Sequence, residues 1–229
     1  MSTSETVQVA LSERSYAIDV GTGILPRIGE VLARLGTVTH AVMICDAAVE
    51  STHAQPVADG LDAAHVRVDR FVVPSGEASK SAAEAERLWR ALCDARADRS
   101  SLVVAVGGGV VGDLAGFVAA TYARGVRFLQ VPTTLLAQVD SSVGGKVGIN
   151  LPTAKNMVGA FWQPVAVVID TDVLKTLPER EYRSGLAEVV KYGVILDAEF
   201  FDYLEAHAAG LAARDAGVLR HVIARCCRL

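Results

Sequence analysis

Residues 101–150 read SLVVAVGGGVVGDLAGFVAATYARGVRFLQVPTTLLAQVDSSVGGKVGIN, and this stretch decides the predicted fold. An apolar run at 102–106 leads into three glycines at 107–109, and a helical segment with an early acid, Asp113, follows. A second apolar run ends in Pro-Thr-Thr at 132–134. A strand, a glycine turn and a helix in this order present backbone N–H groups and a helix N-terminus to a phosphate. The stretch therefore predicts an α/β domain with a ligand site at the carboxyl ends of its strands.

The composition indicates a folded protein with a large core and a cytoplasmic location. The chain has 229 residues, of which 51% are hydrophobic, enough for one large domain or one domain and part of another. A formal net charge of −4 without a basic run argues against nucleic acid as a partner. No apolar run reaches the ~20 residues of a membrane span, and the first residues lack the pattern of a secretory signal. The four cysteines contain no CxxC pair, as is typical of thiols in a reducing compartment.

Strand and helix patterns alternate along the first three quarters of the chain. Predicted strands are short apolar runs, and predicted helices have apolar residues every three or four positions. Strands are expected at residues 16–20, 41–45, 66–73, 102–106 and 165–170, and helices at 25–35 and 79–97. This alternation predicts the α/β class, with a doubly wound, mainly parallel sheet.

The pattern changes near residue 178, beyond which only helices are predicted, over 179–196, 198–213 and 218–229. We therefore divide the chain into a Rossmann-like nucleotide-binding domain, residues 1–177, and the start of an all-helical domain, residues 178–229. The last helix has an apolar stripe that runs to the end of the chain, so we expect the stripe to be exposed and the chain to be cut short. The stripe consists of Val218, Val222 and Ile223.

The glycine turn has two interpretations. Gly107 to Asp113 does not match the GxGxxG fingerprint, so the glycines provide either a sharp turn alone or close approach of the backbone to a ligand. Asp113 either complements the helix dipole or binds a ligand hydroxyl. Asp46, at the end of an earlier strand, is suited to a ribose hydroxyl or to capping a helix.

Two later segments combine acids, lysines and small residues. Residues 74–80, PSGEASK, follow a strand, and they form either a ligand-binding loop or a solvated turn in which Ser79 caps the next helix. Residues 140–146, DSSVGGK, and the pair Lys155 and Asn156 lie between buried segments. Lysines at such positions bind phosphate or carboxylate as point charges; the alternative is a solvated surface loop.

Glu188 lies on a predicted helix with Lys191 at i+3 and Tyr192 at i+4. Its apolar neighbours predict partial burial, and a buried carboxylate needs a cation. The cation is either Lys191 or a metal ion. The five histidines form no HxxxH or HxH motif, so they do not indicate the remaining ligands of a metal site.

Taken in series, these motifs resemble the 3-dehydroquinate synthase family of sugar-phosphate cyclases. The resemblance runs from about Tyr16 to the end of the chain and is strongest in four segments. These segments read GGGVVGDLAGFVAATYARGV, VPTTLLAQVDSSVGGKVGIN, KNMVGAFWQP and TLPEREYRSGLAEVVKYG. PSGEASK and ERSYAIDVGTGIL also agree with the family.

The resemblance implies two cofactors, NAD and a divalent metal, Zn or Co. It implies that Asp140 faces substrate and nicotinamide, that Asn156 and Lys146 bind substrate, and that Lys191 lies beside the reacting hydroxyls. Glu188 matches a metal ligand, and Arg124 reaches a neighbouring subunit's site, which implies a homodimer. The residues implied to bind NAD are Asp46, Ser75, Gly76, Glu77, Lys80, Gly109, Val110, Val111, Gly112, Asp113, Thr133, Thr134, Lys146, Lys155, Val173, Leu174, Lys175 and Thr176.

The implied reaction converts 3-deoxy-D-arabino-heptulosonate 7-phosphate into 3-dehydroquinate and phosphate, a step of the shikimate pathway. The family chain continues into a helical region with two histidine metal ligands, which this sequence lacks. Two alternatives therefore stay open. One is a fragment that binds NAD without turnover, and the other is a metal-dependent polyol dehydrogenase, which shares the glycine turn.

Overall fold

A computed structural model describes residues 4–229 as nine strands and eight α-helices. The strands are β1 Ser4–Val9, β2 Tyr16–Gly21, β3 His40–Asp46, β4 Arg67–Val73, β5 Leu102–Gly107, β6 Arg127–Pro132, β7 Lys146–Leu151, β8 Ala154–Phe161 and β9 Ala166–Asp170. The helices are α1 Ile28–Arg34, α2 Gln55–Ala63, α3 Ala82–Asp94, α4 Gly109–Thr121, α5 Glu179–Leu196, α6 Ala198–Ala206, α7 Ala208–Ala212 and α8 Ala216–Cys226.

The main sheet has seven strands in the order β1-β2-β9-β6-β5-β3-β4. Only the β1–β2 pair is antiparallel among these described strands, so the predicted mainly parallel sheet is confirmed. The chain passes from β3 outward to β4, then returns to β5 on the other side of β3. The carboxyl ends of β3 and β5 therefore flank the point where the strand order reverses, which is where open α/β sheets bind ligands.

Each face of the sheet is covered by its own core. On β3, Met43 and Cys45 belong to one buried cluster with α1, α2 and helices α5 to α8, whereas Val42 and Ile44 belong to the other with α3 and α4. This alternation follows from the period of two along a strand. Because helices cover both faces of the sheet, a ligand site is expected at the ends of the strands. We call the side of the sheet at the carboxyl ends of the parallel strands the carboxyl edge.

Three sequence predictions need correction, one on strand burial, one on a helix cap and one on the length of a helix. The strand predicted at 66–73 is β4, which lies at the edge of the sheet and is mostly half-buried rather than buried. Helix α3 starts at Ala82 with the Ser81 side chain accepting a hydrogen bond from the Glu84 N–H, so Ser79 is not the cap. The helix predicted at 198–213 is broken into α6 and α7 at His207, whose backbone leaves the helical region.

A two-stranded hairpin, β7 and β8, was not predicted. It pairs Lys146 with Phe161 and Leu151 with Ala154, and it packs along α4. Val147 lies so close to α4 that a Cβ on Gly116 would be 2.3 Å from Val147 Cγ1. The segment predicted as a polar loop is therefore partly a strand that holds Lys146 and Asn156 at fixed positions.

The expected exposure of the last helix is wrong. Val222 and Ile223 of α8 are fully buried and Val218 is half-buried, because α8 packs against β1 and β2 and joins the same buried cluster. Arg228, just beyond α8, forms an ion pair with Glu5 of β1. Four exposed apolar side chains of the helical region instead lie on α5 and are Val190, Val194, Ile195 and Leu196.

No helix within residues 4–229 is both long enough and apolar enough to cross a bilayer. In the same residues Cys45, Cys93, Cys226 and Cys227 are free thiols. The division of the chain at 177 and 178 stays a prediction, since the helices beyond it share their core with the sheet.

Candidate active site

Asp46, the last residue of β3, lies at the carboxyl edge, where the parallel strands end. Its carboxylate accepts hydrogen bonds from the Ala48 N–H at 2.8 Å and from the Ser75 hydroxyl in the loop after β4. Asp46 is thus the N-cap of the short helical turn Ala47–Val49, one of the two roles foreseen for it. The bond to Ser75 also joins the loops that follow β3 and β4, and so fixes one wall of the edge.

The turn between β5 and α4 places a helix N-terminus at the same edge. Gly108 precedes α4 in an extended conformation, and no described side chain caps the helix. The first N–H groups of a helix lack partners within it and favour an anion. This 13-residue helix therefore presents free N–H donors where strand order reverses.

The glycines of this turn are required mainly by packing against the protein itself. Gly107, Gly108 and Gly109 all lack positive φ angles, so no left-handed turn is needed. A Cβ on Gly109 would lie 2.8 Å from Ser141 Oγ, and one on Gly112 would lie 2.7 Å from Gln130 Oε1. The space beside these glycines, which the sequence suggested for a ligand, is thus occupied by side chains of the protein.

Lys80 is a buried lysine that contacts two polar side chains more exposed than itself. It is only 5% exposed, its Nζ forms an ion pair with Asp113 of α4, and it donates a 2.5 Å hydrogen bond to Asn156 Oδ1 of β8. Burial raises the pKa of Asp113, whereas the nearby Lys80 ammonium lowers it. The interpretation of residues 74–80 as a solvated turn is therefore wrong for Lys80, since the fold brings three sequence-distant candidates into contact.

An open cavity of about 520 Å³ adjoins the two partners of Lys80. Asp113, Asp140, Lys146 and Asn156 line it, together with the apolar side chains of Met157 and Phe161. Removal of water from the Asp140 carboxyl and the nearby charge of Glu188 raise the pKa of Asp140, while Lys191 and Lys146 lower it. Asp140 therefore feels charges from both sides, from Lys146 in the cavity wall and from Glu188 and Lys191 of α5.

Glu188 and Lys191 form an ion pair on α5, and the contact with Glu188 raises the pKa of Lys191. The Glu188 side chain is 17% exposed and that of Lys191 is 53% exposed. Within residues 4–229, no group of three His, Cys, Asp or Glu side chains is close enough to hold a metal ion. The described residues thus supply one carboxylate where a catalytic zinc commonly has three protein ligands.

A close contact at Gly185 brings α5, and with it Glu188, near Asp140 of the cavity wall. A Cβ on Gly185 would be 2.6 Å from Leu135 Cβ and 2.7 Å from the Leu136 backbone N, so α5 rests directly on the segment that leads to Asp140. The Tyr192 hydroxyl adds a 3.3 Å hydrogen bond to the Val139 carbonyl. The glycine therefore sets the distance between the acids of the two segments.

We expect Gly185→Ala to lower the free energy of unfolding by about 2 kcal/mol, because the added methyl group meets backbone that cannot move aside freely. Chemical denaturation measures this change. Ser184→Ala, at an exposed position of the same helix, is the matched control and should leave the midpoint nearly unchanged. A Gly185→Ala protein as stable as the wild type would show that α5 can shift without cost.

The remaining cofactor candidates are placed by backbone contacts. The Thr133 N–H donates to the Gly107 carbonyl at 2.9 Å, and Thr134 Oγ1 accepts from the Ala137 N–H at 3.2 Å. Val173 and Leu174 lie in the helical turn Thr171–Thr176 and are buried in the core, so their side chains do not face the edge. Thr176 Oγ1 is 2.7 Å from Nε2 of His53, a residue that the sequence did not single out.

Arg124 is not brought to the cavity within this chain. It is exposed, has a φ of 67° and lies in the turn Tyr122–Arg124 after the end of α4. Asp113 is near the start of that helix, which runs on for about 12 Å at 1.5 Å per residue before it ends at Thr121. Arg124 therefore lies at the amino ends of the parallel strands, just before β6 begins, on the side of the sheet opposite the other implied site residues.

Comparison with protein families matches residues 70–184 to the model for the N-terminal part of 3-dehydroquinate synthase and residues 185–229 to that for its C-terminal part. The chain belongs to the 3-dehydroquinate synthase family. It is 53% identical over 229 residues to the 3-dehydroquinate synthase of Rhodopirellula baltica, covering 97% of this chain and 61% of that relative. The enzyme of Geobacter metallireducens is 52% identical over 225 residues, with 98% and 62% covered. The chain thus spans about three-fifths of the length of these relatives.

Solved structures agree on the fold. ValA, a 2-epi-5-epi-valiolone synthase from Streptomyces hygroscopicus subsp. jinggangensis solved with NAD+ and Zn2+, aligns with a TM-score of 0.85 at 30% identity, covering 96% of this chain and 61% of that one. A 2-deoxy-scyllo-inosose synthase in complex with carbaglucose-6-phosphate, NAD+ and Co2+ aligns with a TM-score of 0.79 at 27% identity, covering 94% and 64%. A glycerol dehydrogenase from Schizosaccharomyces pombe, at 20% identity, a TM-score of 0.70 and coverage of 90% and 56%, shares the fold.

Proposed function

We propose that this chain belongs to a working 3-dehydroquinate synthase, which converts 3-deoxy-D-arabino-heptulosonate 7-phosphate into 3-dehydroquinate and phosphate. The observation that carries the proposal is the contact of Lys80 with Asp113 and Asn156 beside the cavity of Asp140. These residues come from the family motifs, and relatives named for this activity are about half identical to the chain. The family's place in the shikimate pathway is part of the same proposal.

NAD is the proposed cofactor, and the residues at the sheet edge fit it. The uncapped N-terminus of α4 suits a pyrophosphate, and Asp46 lies at the end of the neighbouring strand, where an acid can accept a ribose hydroxyl. Bound NAD would supply a hydride acceptor that later returns the hydride, while the protein orients the reacting groups. The cyclases solved with NAD+ support this choice.

The cavity residues have distinct proposed roles on the substrate side. Because Lys80 donates to Asn156 Oδ1, the amide nitrogen of Asn156 is left to donate to a substrate hydroxyl. Lys146 and Lys191 provide positive charge for a phosphate and for hydroxyls that lose protons. Asp140, whose pKa is raised, is suited to accept a proton near the reacting carbons.

The proposed divalent metal, Zn or Co, has one ligand here, Glu188. The described residues do not complete a metal site, so we assign no step of the reaction to a metal on this chain. The alternative of a fragment that binds NAD without turnover stays a prediction. A polyol dehydrogenase would instead form NADH from a polyol, which an absorbance assay with glycerol tests directly.

A homodimer is also proposed. Arg124 lies at the opposite edge from its own cavity, so a second subunit is needed for it to reach a site. The hairpin next to the cavity exposes Met157 by 71% and Phe161 by 76%, which is unusual for large apolar side chains. The sugar phosphate as substrate and a cytoplasmic location, for which the four free thiols speak, belong to the same proposal.

We expect the chain to bind NAD and Gly109→Ala to weaken binding at least tenfold, because a methyl group would occupy the space next to the first N–H groups of α4. Isothermal titration calorimetry measures the affinity. The same methyl group would also meet Ser141 Oγ, so the double variant Gly109→Ala/Ser141→Gly separates the two effects. If the double variant recovers full affinity, the loss came from Ser141 and the backbone is not the binding surface.

A further inference from the structure

Asn150 is the last polar residue of β7 and reaches across to the loop after β4. Its amide Nδ2 donates to Glu77 Oε1 at 2.7 Å, and its Oδ1 accepts from the Asn156 N–H at 2.9 Å. Its backbone N–H donates to the Lys80 carbonyl at 2.8 Å. Asn150 therefore contacts Glu77 and Lys80, which are proposed to bind NAD, and also Asn156, which is proposed to bind substrate.

We propose that Asn150 is a positioning residue that fixes the NAD-binding loop and the substrate-binding Asn156 relative to each other. The proposal rests on the function proposed above. Asn150 itself has no assigned contact with substrate or cofactor, and it acts through Glu77 and Asn156.

Asn156 needs such support because its backbone is strained. Its φ is 58°, in the left-handed region that residues with a Cβ adopt at a cost. The Asn150 Oδ1 bond holds the N–H of this residue, and the Lys80 Nζ bond holds its side chain. Asn156 is thus fixed at both ends, and its free amide nitrogen points in one direction only.

Glu77 is the other end of the link. It is exposed, and besides Asn150 it has a cationic neighbour, Lys155 Nζ, at the long distance of 3.9 Å. An exposed pair of this length gives little order, so the Asn150 amide is the contact that orients the Glu77 carboxylate. A side chain that donates to Glu77 must also accept from Asn156, and a carboxamide does both at once.

The test compares variants at both ends of the Asn150–Glu77 bond. Asn150→Ala should weaken NAD binding about tenfold, the effect of losing one or two hydrogen bonds. Asn150→Asp keeps the acceptor for Asn156 but sets two carboxylates against each other, so its loss should be at least as large. Adding Glu77→Gln to Asn150→Asp restores a donor and an acceptor with reversed direction. Because Glu77 belongs to the NAD-binding set, the reference is Glu77→Gln alone, and the double variant should bind NAD about as tightly as that single variant.

Affinity and stability are measured together, by calorimetry and by the denaturation midpoint. The backbone bond from Asn150 to Lys80 survives in every variant, so the midpoint should stay close to that of the wild type. Thr153→Ala, in the exposed turn of the same hairpin, is the matched control and should change neither quantity.

The outcomes separate this role from the proposed function. Wild-type affinity in Asn150→Ala, while the wild type binds NAD, overturns the positioning role alone. A lowered midpoint with unchanged affinity does the same, because it shows a purely structural contact. A double variant that binds NAD more weakly than Glu77→Gln alone overturns the link through Glu77. A wild-type chain that binds no NAD overturns the proposed function and this role with it.

Discussion

A polypeptide of these 229 residues should release phosphate from the heptulosonate phosphate about a thousandfold more slowly than a full-length relative such as the Rhodopirellula enzyme. Residues 4–229 offer Glu188 but no group of three potential ligands for a divalent cation. A catalytic metal stabilises developing charge by several kcal/mol. At 1.36 kcal/mol per tenfold, a loss of ~4 kcal/mol slows turnover by roughly a thousandfold.

The assay measures phosphate release with NAD and with zinc or cobalt added. The relative, assayed under the same conditions, is the control for substrate quality and metal loading. NAD affinity measured on the same sample shows that the 229 residues are folded. Turnover within tenfold of the relative would mean that the site is completed by residues whose role the geometry does not reveal.

Lys80→Met should lower the free energy of unfolding by about 3 kcal/mol, since removal of one partner leaves the other charge buried and unpaired. Lys80 is 5% exposed and the Asp113 side chain is 22% exposed, so water can solvate the remaining carboxylate only in part. Chemical denaturation near neutral pH measures the loss. Lys175→Met, whose pair with Asp172 is largely exposed, is the matched control and should change stability little.

The stability that Lys80→Met loses should depend on pH in a defined direction. The pKa of Asp113 is already raised by burial, and removal of the Lys80 ammonium raises it further. A group whose pKa is raised in the folded state costs stability as pH rises through that pKa, and the cost disappears when the group is protonated. The difference between Lys80→Met and wild type should therefore shrink as the pH falls from neutral towards the ordinary pKa of 3.8.

A double variant completes this experiment. Replacing both partners, Lys80→Met with Asp113→Leu, should recover much of the lost stability, because an apolar pair needs no compensation. If the two single losses simply add, or if the loss is independent of pH, the two side chains do not act on each other.

The sequence predicted the strands of the parallel sheet well because each is an apolar run followed by a turn. Asp46, residues 107–113 and the threonines after β6 all follow strands, as the sequence indicated, so they lie at the same ends of the parallel strands, whereas their role as a site stays a prediction. The sequence could not predict the burial of Lys80. Its partner Asp113 is 33 residues away, and only the pairing of β4 with β3 and of β3 with β5 brings them together.

The hairpin and the last helix failed for related reasons. In KVGINL, at 146–151, apolar and polar residues alternate as in a strand, but glycines and a lysine made the segment resemble a loop. The stripe of α8 was expected to be exposed because β1, the strand it covers, was not predicted. Burial of one element depends on another that is distant in sequence, and local patterns do not contain that information.

The contact between β1 and α8 has a consequence for synthesis of the chain on the ribosome. Glu5 and Arg228 are 223 positions apart. The face of β1 and β2 that packs against α8 is therefore not covered by this helix until α8 has left the exit tunnel. At roughly 5–20 residues per second this delay lasts on the order of tens of seconds. During that time the first two strands expose an apolar face, and a ribosome-associated chaperone that shields such faces should be found on nascent chains stalled before α8.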